Sequence, residues 1–94
     1  MKIFLDEMLI GYKEFFQLLG YETECARDVR LAGASDLQIV EYVRDNGFDI
    51  FITKDGKAYE LAGLAGVQSF LITNSFIAKA IHEEIQRANQ KVIE

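Results

Sequence analysis

The sequence predicts an α/β protein, a small three-layer fold with a four-stranded, mostly parallel sheet in which strand and helix alternate four times. Short apolar runs alternate along the chain with longer segments whose apolar residues recur at helical spacing. This alternation is typical of a parallel sheet with helices on both faces. The 94 residues suffice for one hydrophobic core but not for two, so a single domain over residues 1–94 is expected.

The first predicted elements are a strand, a helix and an edge strand. Residues 2–5 form a short apolar run, whose length suits a strand buried on both faces. Apolar residues recur at helical spacing over residues 9–19, and Gly20 follows where a helix favours a left-handed residue. Residues 21–26 alternate between polar and apolar side chains, which indicates a second strand near the sheet edge.

The second helix begins at a capping box. Ser35 and Gln38 have the spacing at which each side chain caps the other's backbone N–H, and the helix is predicted to run to about Asn46 with Gly47 as its stop. Its inward residues should be Ile39, Val40 and Val43. The third strand is predicted at residues 49–53, followed by a turn at Asp55 and Gly56.

The last predicted elements are a short helix at residues 58–64, a strand at 67–72 and a closing helix at about 75–92. The apolar stripe of the closing helix is wide for a helix that touches one surface. It should therefore cover the sheet or meet a second subunit in a homodimer, and it consists of Phe76, Ile77, Ala80, Ile81 and Ile85.

Composition restricts the function. The net charge of −5 argues against a broad basic surface for nucleic acid, so a phosphate-bearing substrate would need a divalent cation held by carboxylates. The lone Cys25 cannot form an intramolecular disulfide, and with one histidine, His82, it makes a structural zinc site improbable. The sequence contains neither an apolar signal core nor a long apolar run, so we expect a cytoplasmic protein with no membrane partner.

Three acidic residues are predicted to meet at one sheet edge. Asp6 and Asp55 directly follow strands, and Asp36 begins the second helix at the same rim. Carboxylates that converge without basic partners repel one another unless they share a cation or a proton, and Mg²⁺ or Mn²⁺ suits such oxygen ligands. Purely structural explanations compete: Asp36 could favour a helix start, and Asp55 could belong to a simple turn.

Three stretches carry a resemblance to a known family. Residues 5–9 read Leu-Asp-Glu-Met-Leu, residues 30–39 read Arg-Leu-Ala-Gly-Ala-Ser-Asp-Leu-Gln-Ile, and residues 52–59 read Ile-Thr-Lys-Asp-Gly-Lys-Ala-Tyr. In order and spacing they resemble the motifs of short PIN-like proteins of bacteria and archaea. The resemblance covers nearly the whole chain and implies a PIN-like fold.

The resemblance also implies an activity. PIN-fold proteins are similar to metal-dependent ribonucleases, and many are the toxin of a toxin-antitoxin pair. The implied catalytic and metal-binding residues are Asp6, Asp36 and Asp55, with Mg²⁺ or Mn²⁺ as cofactor, RNA as substrate and an antitoxin protein as partner. Residues beside these acids are the candidates for substrate binding: Glu7, Thr53 and Lys54.

The chain departs from the family pattern at three positions. Met8 stands in place of Asn, Lys54 in place of Arg, and Ala58 where a further Asp is usual. A missing carboxylate lowers the charge of the site, so a second metal would bind less well. Two hypotheses follow: a metal-dependent endoribonuclease, or a catalytically degenerate PIN-like module with a binding or regulatory role.

Overall fold

The computed structural model describes the backbone of residues 1–93 and the side chains of residues 1–90. It confirms the α/β class: four strands form one all-parallel sheet in the order β2-β1-β3-β4. The strands are β1 (Lys2–Leu5), β2 (Glu22–Cys25), β3 (Ile50–Thr53) and β4 (Ser69–Leu71). The α-helices are α1 (Lys13–Leu18), α2 (Asp36–Asp45), α3 (Gly56–Leu64) and α4 (Asn74–Ile93).

The two central strands, β1 and β3, lie side by side. Leu5 of β1 is in register with Cys25 of β2 on one side and with Ile52 of β3 on the other. The pairing continues one residue beyond β1, because the Asp6 N–H donates to the Ile52 carbonyl at 2.9 Å. The chain thus winds outward from β1 in both directions, and the strand order reverses between β1 and β3.

One face of the sheet is closed by α2 and α3. Successive strand residues point to opposite faces, and Phe4 and Phe51 point to this one. Their rings lie 6.1 Å apart between centroids, and both are fully buried. The helix residues that pack in the same cluster are Ile39, Val40, Val43, Ala58 and Ala62, so the predicted inward residues of α2 are confirmed.

The opposite face is covered only in part. Ile3, Leu5 and Ile52 point to it and form a second cluster with Leu9 and Cys25. Leu9 belongs to a 3₁₀ helix, Glu7–Tyr12, that crosses the end of this face, and Phe16 of α1 packs beside it. The remainder of this face is an open apolar groove.

The predicted ends of α2 are confirmed. The Gln38 N–H donates to Ser35 Oγ at 3.2 Å, and the Ser35 N–H donates to Gln38 Oε1 at 2.9 Å, which completes the capping box. At the other end Gly47 has φ +70°, a left-handed conformation that costs glycine little.

The first predicted helix differs from expectation. Its start is the 3₁₀ helix, and only six residues, Lys13–Leu18, are α-helical. A 3₁₀ helix has three residues per turn, so an apolar pattern with a period of 3.6 does not keep to one face across the junction. Leu9 is buried, whereas Tyr12, Phe15 and Leu19, which share the helical spacing in the sequence, are exposed.

The closing helix, α4, does not cover the sheet. Every side chain from Asn74 to Gln90 is exposed, and only Phe76 and Ile77 reach the open apolar groove. The first of the two predicted alternatives for this helix is therefore wrong. None of the helices within residues 1–93 combines the length and hydrophobicity that a membrane span requires.

Candidate functional site

Asp6 and Asp55 lie at the carboxyl ends of neighbouring strands, as the sequence predicts. Asp6 follows β1 directly, and Asp55 follows β3 after one intervening residue. The two strands flank the point where the strand order reverses, which is where open parallel sheets bind their ligands. Both aspartates are half-buried.

The Thr53 hydroxyl connects the two strand ends. It donates to Asp6 Oδ2 at 2.5 Å and accepts the Asp55 N–H at 3.0 Å. Thr53 is completely buried, so this hydroxyl is committed to internal hydrogen bonds. The orientation of the Asp6 carboxylate and the course of the chain at Asp55 therefore depend on one side chain. The predicted contact of Thr53 with substrate stays a prediction.

Asp55 is also the N-cap of α3. Its Oδ1 accepts the N–H of Lys57 at 2.8 Å and that of Ala58 at 3.3 Å. The capping role accounts for an aspartate at this position without any catalytic function. Within residues 1–93, no protein donor bonds Asp55 Oδ2, so this oxygen can still accept a ligand.

Asp36 lines the same pocket as Asp6 and Asp55. It is the first residue of α2, just after the Ser35 cap, and is half-buried. Asp6, Asp36 and Asp55 line a single pocket of about 180 Å³, together with Glu7 and apolar residues of the 31–39 segment. The pocket opens to solvent and has room for a cation with several waters. The structure thus brings the three predicted acids to one pocket.

Helix N-termini surround this pocket. Asp6 caps the 3₁₀ helix by accepting the Glu7 N–H at 2.8 Å, Asp36 begins α2, and Asp55 caps α3. The N-terminus of a helix carries partial positive charge from unpaired N–H groups. These dipoles offset part of the repulsion among the three carboxylates, so a metal-free pocket is less strained than the sequence alone would predict.

The donor chemistry of the pocket fits Mg²⁺ or Mn²⁺ in part. Carboxylate oxygens are the ligands that these hard cations prefer. In the described part of the chain, however, no three His, Cys, Asp or Glu side chains come together closely enough to form one metal-binding group. Mg²⁺ commonly keeps several waters and takes one or two carboxylates directly. The pocket is therefore compatible with a cation bound by one or two of the acids and through water to the third.

The remaining residues named from the sequence lie in different places. Glu7 and Met8 are exposed at the mouth of the acidic pocket. Lys54, the predicted substrate-binding cation, is not among the residues that line this pocket; it lines the apolar groove on the other face of the sheet. Ala58 lies on the buried side of α3 and is 1% exposed. The further aspartate of the family pattern would therefore point into packed apolar side chains at this position.

A second polar cluster was not predicted from the sequence. Lys13 Nζ lies 2.8 Å from Asp28 Oδ2, and the same oxygen accepts the Cys25 N–H at 2.9 Å and the Cys25 thiol at 3.2 Å. The hydrogen bond from Lys13 lowers the pKa of Asp28, and burial raises the pKa of the Cys25 thiol. The thiol is thus held protonated rather than activated. The three-residue spacing of Cys25 and Asp28 after a strand is the one local clue.

Comparisons with known proteins add no family assignment. No family model, no curated protein and no solved structure matches this chain. The acidic pocket and the motifs in the sequence are therefore the features that bear on function.

Proposed function

We propose that this chain is a PIN-like, metal-dependent endoribonuclease, acting in the cytoplasm and serving as the toxin of a toxin-antitoxin pair. The observation that carries the proposal is the convergence of Asp6, Asp36 and Asp55 on one pocket at the reversal of strand order. The pocket is polar at this edge and accessible from outside, and its three aspartates lie at the starts of three different helices.

The roles of the residues follow from their hydrogen bonds. Asp6, held by Thr53 and the Glu7 N–H, and Asp55, held by the α3 N-terminus, present carboxylate oxygens in fixed orientations. Asp36 supplies negative charge from the facing rim. Bound Mg²⁺ or Mn²⁺ would supply a polarised water and would neutralise charge on the RNA phosphate. Without a cation, the three carboxylates repel a phosphodiester.

A second function is favoured by two specific observations. Met8 places a thioether at the mouth of the pocket, and Ala58 is buried where the family pattern has a further acid. Alanine at position 58 removes one carboxylate, and methionine at position 8 removes an amide oxygen, so fewer hard oxygen ligands are available for a metal. A catalytically degenerate PIN-like module, which binds a partner through the same edge of the sheet, is therefore the alternative.

Metal-dependent stabilisation tests the proposal. A cation that binds only the folded acidic pocket stabilises the fold by about 2.7 kcal/mol at a hundredfold excess over its Kd. The Tm of the wild type should rise when millimolar Mg²⁺ or Mn²⁺ is added. Asp6→Asn should remove most of that increase in Tm. Glu60→Gln is the matched control, because Glu60 is an exposed carboxylate of α3 that does not line the pocket.

RNA cleavage then separates the two functions. The nuclease should cut single-stranded RNA with Mn²⁺ or Mg²⁺, and Asp6→Asn and Asp55→Asn should lose that activity. A metal-dependent increase in Tm without RNA cleavage would favour the catalytically degenerate module. Equal metal responses in wild type, Asp6→Asn and Glu60→Gln would mean that the acids only cap helices.

A further inference from the structure

The open face of the sheet carries a large apolar groove. It has a volume of about 410 Å³, and its floor is formed by β-strand residues such as Ile3, Leu5 and Ile52. Tyr12 and Phe70 also line it, and among residues 1–90 Lys54 has the only charged side chain that lines it. A monomeric protein rarely leaves an apolar surface of this kind uncovered.

The same chain carries a second uncovered apolar surface, on α4. At 100° per residue, Ile77, Ile81 and Ile85 lie on one side of the helix, and Ala80 and Ala88 flank them on the same side. The three isoleucines are about half exposed. Ile77 lines the groove, whereas Ile81 and Ile85 do not, so one apolar stripe begins in the groove and continues beyond it.

The helix α4 begins at a cap formed by Thr73 and carries the rest of the stripe beyond its own groove. Thr73 Oγ1 accepts the Phe76 N–H at 3.0 Å, and the Thr73 carbonyl accepts the Ile77 N–H at 3.0 Å. Residues 74–93 contain neither glycine nor proline, so α4 has no break at which it could bend back. Its 20 residues make a rod of about 30 Å that leaves the body of the protein.

The exposed area matches what a dimer requires. Eight large apolar side chains of the groove and the stripe are between 38% and 68% exposed. A half-exposed aromatic side chain offers about 100 Å², and Ile and Met offer less, so each copy offers at most roughly 800 Å² of apolar surface. This is about the area that each partner buries in a protein interface of standard size.

Charge complementarity favours the same contact. Glu84 lies among the stripe residues, where it pairs with Arg87, and among residues 1–90 it is the only carboxylate that lines the apolar surface of α4. Lys54 has the only charged side chain in the groove among residues 1–90. A stripe placed in a groove would therefore bring one carboxylate to one ammonium group, at an otherwise apolar contact.

We propose that two copies of this chain form a reciprocal dimer, in which the α4 stripe of each copy lies in the open sheet groove of the other. Such a contact is self-complementary, and one two-fold axis closes it. The pairing completes the third layer of the fold on both copies. It does not depend on the proposed nuclease activity.

Sedimentation of the full chain tests the dimer. At micromolar concentration the protein should have twice its 10.7 kDa mass. The double variant Ile81→Glu, Ile85→Glu should raise the Kd of the dimer by about a hundredfold or more, because two central apolar contacts are lost. Gln86→Glu is the matched control, since it adds one negative charge on the opposite side of α4 and should leave the dimer intact.

Cross-linking between copies tests which surfaces meet. A mixture of Tyr12→Cys and Ile81→Cys chains should join through a short bismaleimide to give a mixed dimer, because the native Cys25 is buried and unreactive. Far-UV circular dichroism checks that each variant is folded. A wild-type mass of one chain at high micromolar concentration would overturn the proposal. Cross-links only between two Ile81→Cys chains would also overturn it, since they would indicate helix pairing away from the groove.

Discussion

Replacing Thr53 by valine tests whether one hydroxyl holds the acidic edge of the sheet together. Valine has nearly the shape of threonine, so the packing of this fully buried position should change little. The substitution removes the hydrogen bond to the Asp6 carboxylate and leaves the Asp55 N–H without its acceptor. The effect on stability therefore reports on the hydroxyl alone.

The magnitude follows from these two bonds. A hydrogen bond to a charged group contributes about 1.5–3 kcal/mol, and a buried donor left unpaired costs about 1–3 kcal/mol. Asp6 and Asp55 are half-buried, so water replaces part of what is lost. We expect Thr53→Val to lower the free energy of unfolding by about 3 kcal/mol, a large part of the stability of a small domain.

Urea unfolding followed by circular dichroism measures the effect. Thr53→Ser is the control, because it keeps the hydroxyl and loses one methyl group, at a cost of about 1 kcal/mol. A double-mutant cycle with Asp6→Asn should show a coupling of about 1–2 kcal/mol between the two side chains. RNA cleavage should fall in the valine variant and persist in the serine variant.

A valine variant as stable as the wild type would contradict this prediction. In that case the hydroxyl would contribute no net stability, and the orientation of Asp6 would have to depend on the Glu7 N–H. A coupling close to zero would lead to the same conclusion.

Two further predictions concern groups outside the acidic pocket. Asp28→Asn should cost at most about 1 kcal/mol at pH 7, since its contact with Lys13 is partly exposed. The pKa of Asp28 lies below its ordinary value of 3.8 in the folded protein, so this stability is complete above about pH 4 and is lost as the pH falls further. Urea unfolding should therefore separate wild type and variant at pH 7 but not near pH 2, and an equal difference at both would contradict the assignment. Ala58→Asp, which restores the acid of the family pattern, should destabilise the fold by several kcal/mol because it buries a carboxylate. Lys57→Asp is the control, because Lys57 is exposed. An Ala58→Asp variant as stable as the wild type would show that the new carboxylate reaches the pocket.

Local patterns in the sequence determined the elements of the fold and most of the acidic pocket. The apolar run of β1, the capping box of Ser35 and Gln38 and the stop at Gly47 all act within a few residues, so their geometry is encoded where they occur. The adjacency of Asp6 and Asp55 followed from the winding rule for parallel sheets.

Only the tertiary structure decided which face each side chain meets. Lys54 is two residues after Ile52 and lines the same apolar groove, although it is adjacent in sequence to the acidic Asp55. Ala58 points into the core, and α4 extends from the body with its stripe uncovered. These placements depend on contacts between residues far apart in the chain and on the direction in which α4 leaves β4. Periodicity does not specify either of them, because it defines the apolar face of a helix but not the surface that this face meets.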